Sequence, residues 1–327
     1  MLESEAAGLV SRARQGDEDA FGALVGPHRD ELLVHGYRML GSLAEAEDCV
    51  QEALTRAWRS LGSYEERGTF RAWLYRIMTN RCLTVLDQIG RRELPTTLEG
   101  DTTDDGSWLE PLPGSRMRYI EDLDPESRLL ALEGVELAFV AAIQRLPARQ
   151  RAVLILRDVL SFTAAETGDL LDMTVPAVNS ALQRAKRQQD PKMQARVVDF
   201  TEAQETARRY LRAWEAADVD AIVSMLAEDA RYSMPPLRQV FIGAEAIRGF
   251  LLAGPLQRSD QSWRFLPAQA NGQIAFGTYL WNAEADAHEP AGLDVISFTP
   301  TGSITEVVSF LEADFSAFGL PPLMSAK

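Results

Sequence analysis

The sequence predicts a multidomain protein: two all-α units, a helical bundle and a helix-turn-helix, followed by an α+β domain. Its 327 residues are enough for roughly two or three domains. Apolar residues recur at helical spacing over residues 5–92 and again from about Pro125 to Arg187, with a non-periodic stretch between. From Ala230 onward, short β-rich runs alternate with Gly, Pro and Asn. Hydrophobic residues at 46% and charged residues at 25% suit an ordinary packed core and exclude wholesale disorder. No internal repeat is evident. No apolar run reaches the roughly 18 residues that span a bilayer. Glu3 and Glu5 do not make the basic flank of a signal peptide, so a cytoplasmic location is expected. Cys49 and Cys82 each fall on the apolar stripe of a helix, and neither has metal-type spacing to His28, His35 or His288. Reduced, buried thiols are expected, with no metal and no cofactor.

A net charge of −15 runs against the basic face usual for nucleic-acid binding, but the charge is segregated. Residues 1–92 carry −2, 93–127 carry −8, 128–196 carry +3 and 197–327 carry −8.

Taken in order, Ser42 and Glu45 form a capping-box pattern that opens a helix. Val50, Ala53, Leu54, Ala57, Trp58 and Leu61 make its apolar stripe, leaving Glu45, Asp48, Glu52, Arg56 and Arg59 outside. On charge pattern alone this outer side reads as a solvated face. A second long helix runs from about Thr69 to Arg91, with Phe70, Leu74, Ile77, Met78, Cys82, Val85 and Ile89 inward. Trp73, Arg76 and Asn80 share a neighbouring stripe. An indole can stack on a base, a guanidinium neutralises phosphate and an amide bonds a base edge; a half-buried tryptophan beside a surface arginine is an equal reading. Residues from Leu94 to about Asp124 form an acidic linker without periodicity.

Leu146–Arg157 reads as a helix broken at Ser161, and Thr163 with Glu166 caps the next, Ala164–Leu171. Asp172-Met173 makes a turn, and Thr174 and Pro176 start a third helix. There Val178, Leu182 and Ala185 face inward, while Ala177, Asn179, Ser180, Gln183, Arg184, Lys186 and Arg187 are the exposed candidates. Early amides and hydroxyls with late charges suit a helix that reads base edges and then grips phosphate. A generic helical hairpin is the plain alternative. After a bridge at about Gln188–Val198, helices over about 199–216 and 218–227 precede strands at Ala230–Met234, Trp263–Ala268, Ile274–Glu284, Leu293–Pro300 and Ile304–Leu311. His288 is expected in a loop.

The stretches Ala46–Trp58 (AEDCVQEALTRAW), Phe70–Arg81 (FRAWLYRIMTNR) and Leu146–Arg151 (LPARQR) with the helix-turn-helix together resemble bacterial extracytoplasmic-function sigma factors of the sigma-70 family. The resemblance implies a region 2 domain at 5–92, an acidic linker at 93–127 that threads the polymerase channel, and a region 4 domain at 128–188. It implies that Asp48, Gln51, Glu52 and Arg56 dock on the clamp helices of core RNA polymerase. Trp73, Arg76, Asn80 and Arg81, with the Ser63–Thr69 loop, would engage the −10 element, and Val175–Arg187 the −35 element. Asn179 and Ala181 stand where many members carry basic residues. Residues 199–327 resemble the SnoaL-like, NTF2-like α+β cone through Tyr210–Trp214 (YLRAW), Met225–Asp229 (MLAED), Met234–Pro236 (MPP) and Gly243–Ile247 (GAEAI). In that fold a regulatory domain is implied, whose cone takes a small apolar ligand against Trp214, Tyr232, Trp263 and Asp294. The implied protein is not an enzyme; it binds core polymerase and promoter DNA and not a membrane. A ligand-sensing helix-turn-helix repressor and an isomerase- or cyclase-type enzyme with a DNA-binding part stand as alternatives.

Overall fold

Side-chain caps set where the helices begin. In the computed structural model, which describes residues 3–64, 69–88, 108–188, 200–257 and 261–325, the Ser42 hydroxyl accepts from the Glu45 N–H and Thr69 from that of Ala72. Thr163 and Glu166 satisfy each other's free N–H groups in a full capping box. Thr163→Ala should cost about 1 kcal/mol, read as faster amide exchange over Ala164–Leu171.

Two compact units result, one from residues 1–92 with 116–192, the other from 93–115 with 193–327. The first is helical: α1 Glu3–Arg14, α2 Glu18–Val25, α3 Arg29–Leu40, α4 Leu43–Ser60, α5 Phe70–Leu86, α6 Pro125–Glu133, α7 Leu137–Gln144, α8 Ala148–Leu154, α9 Ala164–Leu171 and α10 Val175–Gln188. α3 is buried on nearly every side, and its polar residues are absorbed in the packing. Buried His35 bonds the Thr79 hydroxyl at 2.8 Å, and burial beside Arg38 and Arg71 holds its imidazole down to about 3, so it is neutral. At Gly36 a Cβ would stand 2.5 Å from Met78 Cε, so the bare glycine lets α3 lie close to α5.

The core stripes differ in detail from expectation. On α5 the buried residues are Leu74, Tyr75, Met78, Thr79 and Cys82, while Phe70, Ile77 and Val85 are only half-buried and Ile89 lies outside the described residues. The part of the expected linker that is described has structure: a 3-10 helix spans Gly114–Asp122, and Met117 and Ile120 are buried in the first unit.

The second unit has α11 Phe200–Glu215, α12 Val219–Ser224 and α13 Ala244–Ala253 with β1 Leu226–Ser233, β2 Val240–Ile242, β3 Trp263–Ala270, β4 Gln273–Asn282, β5 Ala287–Phe298, β6 Ile304–Phe310 and β7 Met324–Ser325. The sheet runs β2-β1-β6-β5-β4-β3, with β7 on β5; β1 and β6 are parallel and the other pairs antiparallel. Tyr210 and Trp214 of α11, Ile222 of α12 and Leu251 of α13 pack with Tyr232, Phe276, Ile296 and Val307 from the sheet. β5 begins earlier than expected and takes in His288, which is buried, meets the Trp281 ring at 5.0 Å and bonds the Ser262 hydroxyl at 3.1 Å. The loop expectation for His288 fails because its imidazole packs as a cross-strand partner of Trp281. No helix among the described residues is long and apolar enough to cross a membrane.

Candidate functional site

Three polar helix faces and one buried cluster carry the residues singled out in the sequence. On α4, Ala46, Cys49, Val50, Ala53 and Ala57 point inward, which turns the opposite side to solvent. Asp48, Gln51, Glu52, Thr55, Arg56 and Arg59 there line one open groove, closed at its side by Arg81 of α5. Arg81 Nε stands 2.7 Å from Glu52 Oε2, and Arg56 reaches the same oxygen at 3.4 Å. The groove is therefore a mixed-charge surface, suited to a polar partner with both signs of charge.

Trp73, Arg76 and Asn80 follow one another along α5. The Trp73 ring is half-buried against Tyr64 (5.2 Å) and Phe70 (5.5 Å), while Arg76 and Asn80 are exposed. Arg76 pairs at 2.8 Å with Asp172 in the turn between α9 and α10. Arg81 does not join this trio: one residue beyond Asn80 is a 100° rotation, and its head pairs with Glu52 on α4. Loop residues 65–68 lie outside the described residues.

The helix-turn-helix stands at α9 and α10. Asp172 takes the left-handed conformation at φ 52°, and Met173 N–H bonds Gly168 O. A Cβ on Gly168 would meet Met173 O at 2.6 Å, so the glycine admits the tight turn. On α10, Val178 and Ala185 are buried as expected, while Ala181 is buried and Leu182 only partly so. Ala181 is thus a packing residue and not a missing phosphate contact. Asn179, Ser180, Gln183, Arg184, Lys186 and Arg187 are exposed, and Ala177 is half-buried. Lys186 is tied at 2.9 Å to Asp158.

Inside the second unit, strand alternation sends Asp294, Ile296 and Phe298 of β5 to the face covered by α11. Asp294 is fully buried beside Ser309, its partner across β6, and Ser309 also bonds Tyr232. Burial pushes the Asp294 carboxyl up to about 7, and raises the Tyr210 and Tyr232 phenols well above their usual range. Asp294 Oδ1 and the indole N–H of Trp214 are buried without a hydrogen-bond partner. Trp263 lies 5.6 Å from the Trp214 ring, its own N–H given to Pro255 O. Trp214 and Trp263 meet directly, and Tyr232 and Asp294 meet through Ser309.

Two features were missed in the sequence. Leu112 N–H donates to the Asn271 side-chain oxygen and Asn271 N–H donates back to Leu112 O, both at 2.8 Å, with Pro113 bridging to Ala270. Asn271-Gly272 was legible as a hairpin turn, but nothing signalled that its amide would anchor residues 112–113. The second is a pair of buried arginines, Arg38 and Arg151, most of whose donors end on backbone carbonyls. Among the described residues no His, Cys, Asp or Glu cluster could hold a metal ion.

Comparison with known proteins agrees with these elements. The Sigma-70 region 2 family matches residues 24–92, the Sigma-70, region 4 family matches 136–188 and the SnoaL-like domain family matches 207–312. The chain is 41% identical over 323 residues to the ECF RNA polymerase sigma factor SigG of Mycobacterium tuberculosis, covering 94% of this chain and 85% of the relative. It is 30% identical over 177 residues to the ECF RNA polymerase sigma factor SigW of Bacillus subtilis, covering 54% of this chain and 90% of that one. The crystal structure of the Mycobacterium tuberculosis extracytoplasmic function sigma factor SigJ shares the fold, with a TM-score of 0.61 at 22% identity over 90% of this chain and 97% of that chain.

Proposed function

The chain belongs to the extracytoplasmic-function sigma factors, and from that premise we propose that it docks on core RNA polymerase through the α4 groove and reads promoters with α5 and α10. Region 2 is assigned to 5–92, the linker to 93–127, region 4 to 128–188 and a regulatory SnoaL-like domain to 199–327. The observation that carries the docking assignment is the gathering of Asp48, Gln51, Glu52 and Arg56 in one groove. Trp73, Arg76 and Asn80 serve the −10 element. Arg81 orients Glu52 in the groove in place of touching DNA. Asn179, Ser180, Gln183, Arg184 and Arg187 serve the −35 element from the exposed side of α10, with Ala177 at its edge and Lys186 after release from Asp158. The protein works in the cytoplasm, where its polymerase is.

The SnoaL-like domain modulates initiation without catalysis. Support comes from the pairing of Leu112 with Asn271, which ties the segment between regions 2 and 4 to this domain. A small, largely apolar ligand with a hydrogen-bonding group would meet Trp214, Tyr232, Trp263 and Asp294, where a carboxyl oxygen and an indole N–H are unsatisfied.

Capture of core RNA polymerase followed by promoter-dependent run-off transcription tests the assignment, with the full chain beside a truncation ending at residue 196. Asp48→Arg, at an exposed position, should lower capture by about tenfold or more with the fold intact by circular dichroism. Unchanged capture would remove the groove from the docking surface, and operator binding without polymerase would favour a repressor. Equal run-off from the full chain and the truncation would remove the modulatory role.

A further inference from the structure

The last helix of the helix-turn-helix, α10, turns a polar but largely uncharged strip outward over its first turns. Its buried stripe is Val178, Ala181 and Ala185. At roughly 100° per residue, the side opposite that stripe centres on Gln183, with Asn179 and Ser180 flanking it and Arg187 one turn further on. All four are exposed. Arg184 and Lys186 fall at the two margins of the same face, and Lys186 is held at 2.9 Å by Asp158. The Asn179 and Gln183 amides make no side-chain hydrogen bond to another described residue. Each therefore presents an acceptor oxygen and a donor NH2 outward from the middle of the face.

We propose that Asn179 and Gln183 each read an adenine in the major groove and so set the base sequence of the −35 element. The inference rests on the assignment of α10 as the −35 reader and adds which base is read. A carboxamide matches the adenine edge atom for atom: its oxygen accepts from the N6 amino group while its NH2 donates to N7. Guanine offers two acceptors at that edge, O6 and N7, which need the paired donors of an arginine or the ammonium of a lysine. The four residues from Asn179 to Gln183 rise about 6 Å along the helix, against about 3.4 Å for each base step. The two amides thus reach neighbouring or next-neighbouring base pairs. When the middle of α10 faces the base edges, its margins face the two phosphate strands that wall the groove. Arg184 and Lys186 stand at those margins, where they add affinity without choosing sequence.

The test uses holoenzyme assembled from core RNA polymerase and the full chain, offered a promoter library randomised over the −35 element; the retained promoters are sequenced. Adenine should be enriched at two positions. Asn179→Ala should lose about tenfold of the preference at one of them and Gln183→Ala at the other, each leaving the second position as in the wild type. On a single promoter, 7-deazaadenine at either position, which lacks the N7 acceptor, should weaken retention by the wild-type holoenzyme severalfold. That reading decides the proposal even if an alanine variant fails to fold. No enrichment of adenine, a preference that both alanine variants keep, or indifference to 7-deazaadenine would overturn it. Arg184→Glu separates this failure from that of the reader assignment. If it lowers retention of promoters by about tenfold whatever their −35 sequence, while both alanine variants keep the wild-type preference, α10 remains the reader and the adenine inference falls. If none of the three variants changes retention, α10 is not the −35 reader and both fall.

Discussion

Arg151→Met should destabilise the helical unit by about 3–5 kcal/mol, and Arg38→Met by a similar amount. Arg151 is 2% exposed and its donors are fully employed: Nε to Ile143 O at 3.0 Å, Nη1 to Gln144 Oε1 at 2.6 Å and to Met39 O, and Nη2 to Gln144 O at 2.7 Å. Arg38, fully buried in α3, gives Nε to Gly134 O and Nη2 to Ala131 O, each at 2.9 Å, while its own carbonyl accepts from Gln144 at 3.0 Å. Methionine would keep much of the aliphatic volume but leave the carbonyls of Met39, Ile143 and Gln144 without donors, each such loss costing about 1–3 kcal/mol. Arg151→Lys should rescue little, because an ammonium cannot reproduce the planar fork that spans these oxygens. Amide exchange in α3 and α8, with urea unfolding of the full chain, measures the effect. A loss below about 1 kcal/mol would mean that water replaces the guanidinium. The arginines also join the residue ranges matched as region 2 and region 4, since Met39 and Arg38 belong to the first and Gln144 and Arg151 to the second.

This network marks the limit of what the sequence discloses. Periodicity identifies which helices exist, and Thr163, Glu166 and Pro176 locate the helix-turn-helix, because caps and turns are local chemistry. Partners across the fold are not local. Arg38 and Arg151 look like any charged residues in amphipathic helices, and their burial depends on carbonyls about a hundred residues away in the chain. Arg81 was grouped with Asn80 through adjacency in a motif, but helix rotation sends it to Glu52. On α10 Leu182 is expected inward with Val178 and Ala185 because leucine is the more hydrophobic residue; Val178 and Ala185 are buried as expected, and the close approach of helices selects Ala181 in place of Leu182. His288 illustrates the same point in the sheet, since Glu289 and Pro290 suggest a loop and only pairing with Trp281 makes a strand. Asp48, Glu52, Arg56 and Arg59 of the groove were legible for the opposite reason: a strong inward stripe on α4 leaves one choice for the outward face.

The carboxyl of Asp294 supports the other large effect. Asp294→Asn should leave stability at low pH nearly unchanged and raise it at pH 8 by up to about 4 kcal/mol. The folded state holds this carboxyl protonated to about 7, against 3.8 for an exposed aspartate, because ionising it inside the core would strip a charge of water. Below 3.8 both states carry the proton, and burial of the neutral acid costs nothing further. As pH rises from 3.8 toward 7 the unfolded chain ionises while the folded one cannot, so stability falls over that window and is level above it. An asparagine has no proton to lose, keeps a polar group for Ser309, and removes the slope. Glu306, also raised by burial, and Glu136, raised to about 7 in the helical unit, contribute their own pH dependence to both proteins. The difference between wild type and variant therefore isolates Asp294. Urea unfolding at intervals from pH 5 to pH 8 should show two curves that diverge upward in pH; parallel curves would mean that Asp294 is ionised and solvated in the folded protein. The same buried, protonated carboxyl and, separately, the unsatisfied indole N–H of Trp214 are what a ligand with a hydrogen-bonding group would have to satisfy. Such a ligand, on binding the wild type, should flatten the pH slope in the same direction as the asparagine if it donates to Oδ1, and leave the slope in place if it only accepts from Trp214.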